Sequence, residues 1–409
     1  MSTPRHERLT RIPRDGKRLL IAGHPAADLV AMAGGSPCYV YDREALSERV
    51  GLWRALMPEG LSLHYAIKAN PMPALVAHMA SQVDGLDVAS LQEMQVALSS
   101  GKSAENISFA GPAKQLVELL GAVAAGITVN VESELELERL ENIGRERGCK
   151  ARVALRINPD FELKTSGMKM GGGPRPFGID AERVPQILAD WRSAHLEFIG
   201  FHIFAGSQNL KAEALIEAHN KTFELAERLA VDCALPLRKV NIGGGLGIPY
   251  FPGEPALDVD SVARNLHRLM DERSEALSQA EFIMELGRYL VGEAGYYICQ
   301  VTDIKISRER TFLMTDGGLH HHLSNSGNFG QVIRKNYPVV LADKLEGESL
   351  EAVEIAGPLC TPLDIVAARV DLPRAELGDY IAVLQSGAYG ATASPQAFLS
   401  HPTVKELLL

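Results

Sequence analysis

Leu61-Ser-Leu-His-Tyr-Ala-Ile-Lys-Ala-Asn-Pro71 joins an apolar run to a lysine and then to a turn. Leu61 to Ile67 reads as a buried strand, and Asn70-Pro71 end it. At the mouth of such a strand Lys68 can reach a carbonyl compound while its stem stays packed, which is how a Schiff-base lysine is presented. A lone strand-end lysine is more often a solvated charge, so its weight depends on the rest of the chain.

Outward from that strand, short apolar runs alternate with helix-length amphipathic stretches, the pattern of parallel strands joined by crossover helices. The strand candidates are Leu61 to Ile67, Gly85 to Val88, Ile107 to Ala110, Ile127 to Val131, Ala151 to Ile157, Phe198 to Phe204, Lys239 to Ile242 and Phe282 to Glu285. Their number and spacing match an α/β fold of the (β/α)₈ TIM-like barrel type, whose active site lies at the strand C-termini. Ser90-Leu-Gln-Glu93 has capping-box spacing before an apolar run, and Glu132 to Arg147 carries leucines at helical intervals on an otherwise solvated face. Pro37 to Asp42 and several runs after residue 290 (Tyr296 to Ile306, Thr311 to Thr315, Tyr337 to Ala342, Leu350 to Ile355, Asp379 to Leu384) read as further strands. The expected division is a barrel over 46–288, with 1–45 and 289–409 sharing one β-barrel or sandwich domain. Lys169 to Pro174 reads as a flexible loop ordered by ligand.

Length and composition agree with two domains and with a protein that meets small molecules. The chain has 409 residues, is 46% hydrophobic and carries a formal net charge of -10, which argues against nucleic acid or anionic membrane as partner. It shows no signal-like start and no apolar run long enough to span a bilayer, so a cytoplasmic location is expected. Cys38, Cys149, Cys233, Cys299 and Cys360 are odd in number and lack Cys-x-x-Cys spacing, so reduced thiols are expected.

Four segments share one chemistry with Lys68: Gly206-Ser-Gln208, Gly243-Gly-Gly245, Glu285-Leu-Gly-Arg288 and Gly387-Ala-Tyr389. Consecutive glycines at 243, 244 and 245 let backbone N–H groups close on an anion. Arg288 adds a forked cation, and Ser207 and Tyr389 add hydroxyls, which together suit a phosphate dianion. A carboxylate at the end of an interior strand is expensive unless paired, so Glu285 is read as the partner of a pyridine nitrogen. Keeping that nitrogen protonated makes the ring a strong electron sink, suited to decarboxylation, whereas a neutral or cationic partner would suit racemisation. These features together suggest pyridoxal 5'-phosphate.

The motifs Tyr65-Ala-Ile-Lys-Ala-Asn70, Gly85-Leu-Asp-Val-Ala-Ser90 with Glu93, Gly206-Ser-Gln208, Gly243-Gly-Gly245, Glu285-x-Gly-Arg288, Asp316-Gly317, Gly357-Pro-Leu-Cys360 with Asp364, and Gly387-Ala-Tyr389 follow one another in order. In them the chain resembles the fold-type III pyridoxal-phosphate decarboxylases, which include ornithine, arginine and diaminopimelate decarboxylases, over nearly its whole length. The resemblance implies an alanine racemase-like barrel, Lys68 as the cofactor-bearing lysine and Glu285 at the pyridine nitrogen. It also implies contacts from Asp87 and Gly287, a phosphate cup from Ser207, Gly243, Gly244, Gly245, Arg288 and Tyr389, and a head-to-tail homodimer. In that dimer Cys360 and Asp364 enter the partner's site, and the Cys360 thiol acts as the general acid that replaces carbon dioxide with a proton.

Two departures from the family pattern bear on the pocket. Family members carry His-x-His-x-Gly-Ser, but here Gly200-Phe-His-Ile-Phe-Ala-Gly-Ser207 puts His202 at the first position and Phe204 at the second. Both point the same way along a strand, so Phe204 is expected to stack on the ring and His202 to lie one layer deeper. After the cysteine, ornithine and diaminopimelate decarboxylases carry an acid for the substrate's distal ammonium, whereas this chain has Thr361 and then Pro362. A distal end that is not a free amine is therefore expected, although Asp316 can still contact one. Phe201 to Leu210, Ser326 to Gly330 and Gly357 to Asp364 look most like the exosortase-associated decarboxylases and like decarboxylases acting on carrier-bound glutamyl groups. The alternatives are a diaminopimelate or basic amino-acid decarboxylase, an amino-acid racemase, and a cofactor carrier without turnover. His320-His-His322 reads as an extended segment with alternate faces rather than a metal site, so no metal is expected.

Overall fold

The computed structural model describes residues 6–162, 168–169, 171–231, 233–327, 335–347 and 349–409. The chain forms two compact units, one of residues 49–248 and 256–289, the other of 1–48, 249–255 and 290–409.

The first unit is a closed parallel barrel. Its strands are β1 (Leu61–Ala66), β2 (Gly85–Val88), β3 (Ile107–Phe109), β4 (Thr128–Val131), β5 (Ala151–Asn158), β6 (Leu196–Ile203), β7 (Lys239–Asn241) and β8 (Glu281–Leu286). They pair in sequence order, and β8 closes on β1. All the expected barrel strands are present, with ends shifted by a residue or two. Between them run α1 (Pro73–Ala80), α2 (Leu91–Ser99), α3 (Leu116–Ala125), α4 (Glu134–Arg147), α5 (Val184–Ala189), α6 (Ala212–Val231) and α7 (Val259–Glu272).

The caps that set these helices are local. Ser90 Oγ accepts the Glu93 N–H, and the Glu93 carboxylate accepts the Ala89 N–H. Ser133 Oγ accepts the Glu136 N–H, and Gly148 ends α4 with a φ of 65°. Packing then fixes helix to strand: Phe223 of α6 stacks on Phe282 of β8 with ring centroids 4.7 Å apart, a contact worth about 1 kcal/mol beyond the area it buries.

Inside the barrel the side chains are unusually polar. His64 Nδ1 is 3.2 Å from Asp87 Oδ1, which also accepts from Ser108 Oγ, and Asn130 Nδ2 donates to that hydroxyl. Such groups are tolerated in a barrel interior only when bonded to one another.

His219, on the buried face of α6, has neither ring nitrogen hydrogen-bonded among the described residues, and burial pushes its pKa down to about 4. The unfolded chain takes up a proton there below about pH 6.5, while the folded chain resists until about pH 4. Stability therefore falls as pH drops through that window, by about 3 kcal/mol at its lower end. His219→Leu is expected to move acid unfolding, followed by far-UV circular dichroism, to lower pH. An unchanged midpoint would show that the ring is not a source of acid sensitivity.

The second unit is a mixed β-sheet. Its long strand Gly295–Ser307 pairs antiparallel with Cys38–Tyr41, Tyr380–Val383 and Arg310–Thr315. Leu350–Ala356 continues the sheet beside Arg310–Thr315, followed by Ile365–Pro373. Lys405–Leu408 runs parallel to Cys38–Tyr41, so segments from both ends of the chain share one sheet. Two of these strands escape the sequence pattern. Ala367-Ala368 weakens the β signal of Ile365–Pro373, and Lys405-Glu-Leu-Leu408 is made of good helix formers held extended by its pairing.

His320-His-His322 is not extended either. Leu319 to His321 form a turn that brings the His320 and His321 rings to a 3.7 Å centroid separation. His321 Nε2 lies 2.9 Å from the Pro402 carbonyl and His322 Nε2 lies 2.9 Å from Ser386 Oγ. The loop expected at 169–174 is described except for Met170, and Met168–Lys169 pairs antiparallel with Gly206–Ser207. Of the segment Ser326 to Gly330, residues 328–330 lie outside the described residues. Among the described residues no helix is long and apolar enough to cross a membrane.

Candidate active site

Lys68 leaves β1 in a single 3₁₀ turn, Ile67–Ala69. The turn is fixed on its far side: Tyr65 Oη donates to the Asn70 carbonyl at 2.8 Å, and Asn70 Oδ1 accepts the Met72 N–H. A Cβ on Gly287 would come within 2.9 Å of Ala69 Cβ, so only glycine lets the exit of β8 pack against this turn. The result is a lysine with a rigid backbone and a side chain that is 42% exposed, its Nζ 3.8 Å from Oε1 of the buried Glu285 on β8.

The second oxygen of Glu285 faces the barrel interior. Oε2 is 2.9 Å from His202 Nε2 and accepts from Asn241 Nδ2 at 3.2 Å. Burial alone would raise this carboxyl, but the His202 hydrogen bond and the positive charges of Lys68 and Arg156 outweigh it and hold the group well below the usual carboxylate range. Arg156 is itself paired with Glu132 at 2.7 Å and lies over the Phe177 ring. A carboxylate held anionic in this way can keep a facing heterocyclic nitrogen protonated.

Around this pair the barrel forms a cradle. Phe204 places its ring centroid 5.7 Å from Lys68 Nζ. A Cβ on Gly243 would come within 3.1 Å of Phe204 Cδ2, and one on Gly244 within 1.9 Å of the Glu285 carbonyl. Gly243 and Gly245 have φ of 72° and 91°, in the left-handed region that favours glycine. Asn241 Oδ1 accepts the Gly243 N–H, tying the loop to the residue that also holds Glu285. Such a turn suits an anion, and Ser207 and Arg288 belong to the same unit. Asp87 Oδ2 is buried with no hydrogen-bond partner among the described residues, a place for one more donor.

The barrel thus brings together Lys68, Asp87, His202, Phe204, the glycine triplet and Glu285. Asn241 and Arg156 belong with them and were not singled out by sequence. Asn241 precedes the triplet by two residues, so strand parity turns it inward; that was the available signal. Asp316, Cys360, Thr361, Asp364 and Tyr389 lie in the sheet unit. There Cys360 is exposed and Tyr389 has a φ of 54° in the turn after Gly387.

Asp364 and Asp316, the acids expected near substrate, each accept hydrogen bonds within the sheet unit. Asp364 is 2% exposed and accepts the backbone N–H groups of Leu319 at 2.6 Å and Leu359 at 2.7 Å, so its carboxylate ties down the loop that carries Cys360. Asp316 accepts from Ser36 Oγ and from the Gln300 N–H at 2.8 Å. Both acids are taken up by their own unit's donors, a cost-saving arrangement for buried carboxylates that sequence spacing does not show.

An exposed amine on a fixed turn, an anion buried 3.8 Å from it, an aromatic face and a glycine-built anion loop fit pyridoxal phosphate by the chemistry of the donor set. The comparisons agree. A family model described as pyridoxal-dependent decarboxylase, pyridoxal binding domain, matches residues 43–292. The L-glutamyl-[BtrI acyl-carrier protein] decarboxylase of Niallia circulans is 37% identical over 379 residues, covering 91% of this chain and 88% of the relative. The diaminopimelate decarboxylase of Aquifex aeolicus is 33% identical over 400 residues, covering 97% and 91%. A crystal structure of diaminopimelate decarboxylase from M. jannaschii superposes with a TM-score of 0.86 at 27% identity, covering 97% of this chain and 92% of that one. With the matched model spanning the whole barrel, the chain belongs to the pyridoxal-dependent decarboxylases, carboxy-lyases whose cofactor is pyridoxal phosphate.

Proposed function

We propose that this decarboxylase removes the α-carboxylate of an amino acid whose distal end is not a free amine, modified or held on a carrier protein, and that it works in the cytoplasm as a homodimer with shared sites. The observation that carries the substrate class is Thr361-Pro362 directly after Cys360, with Asp316 and Asp364 both engaged elsewhere. A buried ammonium without a carboxylate would cost about 3–5 kcal/mol. The Niallia circulans relative, whose name states a carrier-bound glutamyl substrate, supports the same class.

Pyridoxal phosphate supplies an electrophilic aldehyde and a sink for the electron pair left when the Cα–carboxylate bond breaks. The residues do the rest. Lys68 would hold the cofactor through its side-chain amine. Glu285 would keep the ring nitrogen protonated, and Phe204 would cover the ring and exclude water. Ser207, Gly243, Gly244, Gly245, Arg288 and Tyr389 would hold the phosphate, and Asp87 and Gly287 would complete the cradle. The Cys360 thiol of a second copy delivers a proton to Cα.

A screen for carbon dioxide release tests the substrate class. Acylated or carrier-linked amino acids should give higher kcat/KM than free diaminopimelate or ornithine; diaminopimelate as the best substrate would overturn the proposal. Cys360→Ala should keep cofactor binding while turnover slows by about 10²–10⁴. Mixing it with Lys68→Ala should restore up to about a quarter of wild-type activity, since reassorted dimers would hold one intact site. Wild-type kinetics in Cys360→Ala would remove the thiol from the mechanism, and no recovery on mixing would remove the shared site.

A further inference from the structure

His202 stands at the first histidine position of the family's His-x-His pattern, with Phe204 at the second, one residue beyond the end of β6. It has not become inert filling. Its side chain is 2% exposed, and Nε2 lies 2.9 Å from Oε2 of Glu285. Nδ1 has no hydrogen-bond partner among the described residues. No second acceptor therefore competes for the ring's N–H, which the network assigns to Nε2 and directs at the carboxylate. Asn241 Nδ2 donates to the same oxygen at 3.2 Å. With Oε2 doubly bonded from the barrel interior, Oε1 is the oxygen left toward Lys68 at 3.8 Å.

A glutamate has three rotatable side-chain torsions, and in a barrel interior nothing intrinsic decides which oxygen is presented or at what angle. Two donors on one oxygen settle both, and a donor that strengthens toward the anion also keeps the proton on the ring nitrogen rather than on the carboxylate. Of the two, His202 makes the shorter contact and comes from β6, two strands from Glu285, so it braces the side chain across the barrel. Asn241 lies on β7 between them.

We infer that His202 is the positioning residue for Glu285: its Nε2–H orients the carboxylate and so sets how firmly the cofactor's ring nitrogen stays protonated. The inference rests on the proposed function, since it needs Glu285 opposite that nitrogen. The groups that bear on the carboxylate are Lys68 after β1, Arg156 on β5 and the titratable His202 on β6, and Asn241 is the amide donor on β7.

The test follows the ring nitrogen itself, by ¹⁵N NMR of the full-length protein loaded with ¹⁵N-pyridoxal phosphate over a range of pH, with kcat and KM measured beside it. Wild type should show a pyridinium nitrogen throughout. His202→Gln, whose amide reaches the place of Nε2, should retain it. His202→Asn, which stops one bond short, and His202→Leu, which donates nothing, should bring deprotonation into the neutral range and lower kcat at least tenfold with KM little changed. Should the Leu variant fail to fold, the Gln and Asn pair decides alone. Identical nitrogen shifts in Gln and Asn variants, or a wild-type shift in His202→Leu, would overturn the inference while leaving the decarboxylase proposal intact. A wild-type protein that takes up no cofactor at Lys68 would overturn both, and borohydride trapping tells the cases apart.

Discussion

Lys68→Ala is expected to lose the absorbance near about 420 nm that a lysine-bound pyridoxal gives, and turnover on the order of 10³-fold or more. The loss is chemical rather than structural. The Lys68 side chain is 42% exposed, and its contact with Glu285 is long at 3.8 Å, so removing it costs little stability. The turn that carried it is held by Tyr65, Asn70 and Gly287, none of which the substitution touches. Glu285 keeps its bonds to His202 and Asn241, so the cradle for ring and phosphate should survive and bind the cofactor without covalent capture. The check is borohydride reduction followed by intact-mass measurement. Wild type should gain one reduced cofactor and the variant none; an adduct of equal yield in the variant would move the anchor to another lysine.

The barrel was legible because parallel strands buried on both faces and amphipathic crossover helices repeat with distinct periods, and each repeat here is short and unbroken. Lys68 and Glu285 stood out for a related reason: each is an ionisable residue at the end of an apolar run, where a charge without a purpose would be selected against on cost alone. What stayed hidden depends on contacts between distant segments. The inward faces of Asn241 and Arg156 follow from strand parity, but their partners do not. Asp364 sits five residues from Leu359 and forty-five from Leu319, and only the fold shows that both amides converge on it. His320 and His321 were assigned to opposite faces by assuming an extended backbone, and a turn at Leu319 undid that assumption. The strand Lys405–Leu408 shows tertiary pairing overriding helix propensity, since its partner Cys38–Tyr41 lies at the other end of the chain.

Glu285→Gln should be the most informative substitution, because it removes a charge while nearly preserving shape. Glutamine keeps one oxygen to accept from His202 or Asn241, so the variant should fold. Glu285→Ala instead leaves both buried donors unpaired, at about 1–3 kcal/mol each. In the Gln variant nothing holds the proton on the ring nitrogen, and the electron pair released with carbon dioxide has a weaker sink. The expected cost is on the order of 10²–10³ in kcat, with covalent capture by Lys68 and KM nearly unchanged. Its pH dependence distinguishes this cause from general damage. In wild type His202, Lys68 and Arg156 hold the Glu285 carboxyl below the usual carboxylate range. Its stabilising contribution is thus fully present above the ordinary glutamate pKa of about 4.5 and is lost only as pH falls through the depressed value. Wild type should therefore show no acid limb from this group in the range where the enzyme is folded, and the Gln variant should lose rate at neutral pH and recover it as pH falls. A Gln variant that regained wild-type kcat at low pH, where the ring nitrogen protonates unaided, would confirm that the carboxylate acts through that nitrogen; wild-type kcat at neutral pH would show that it does not.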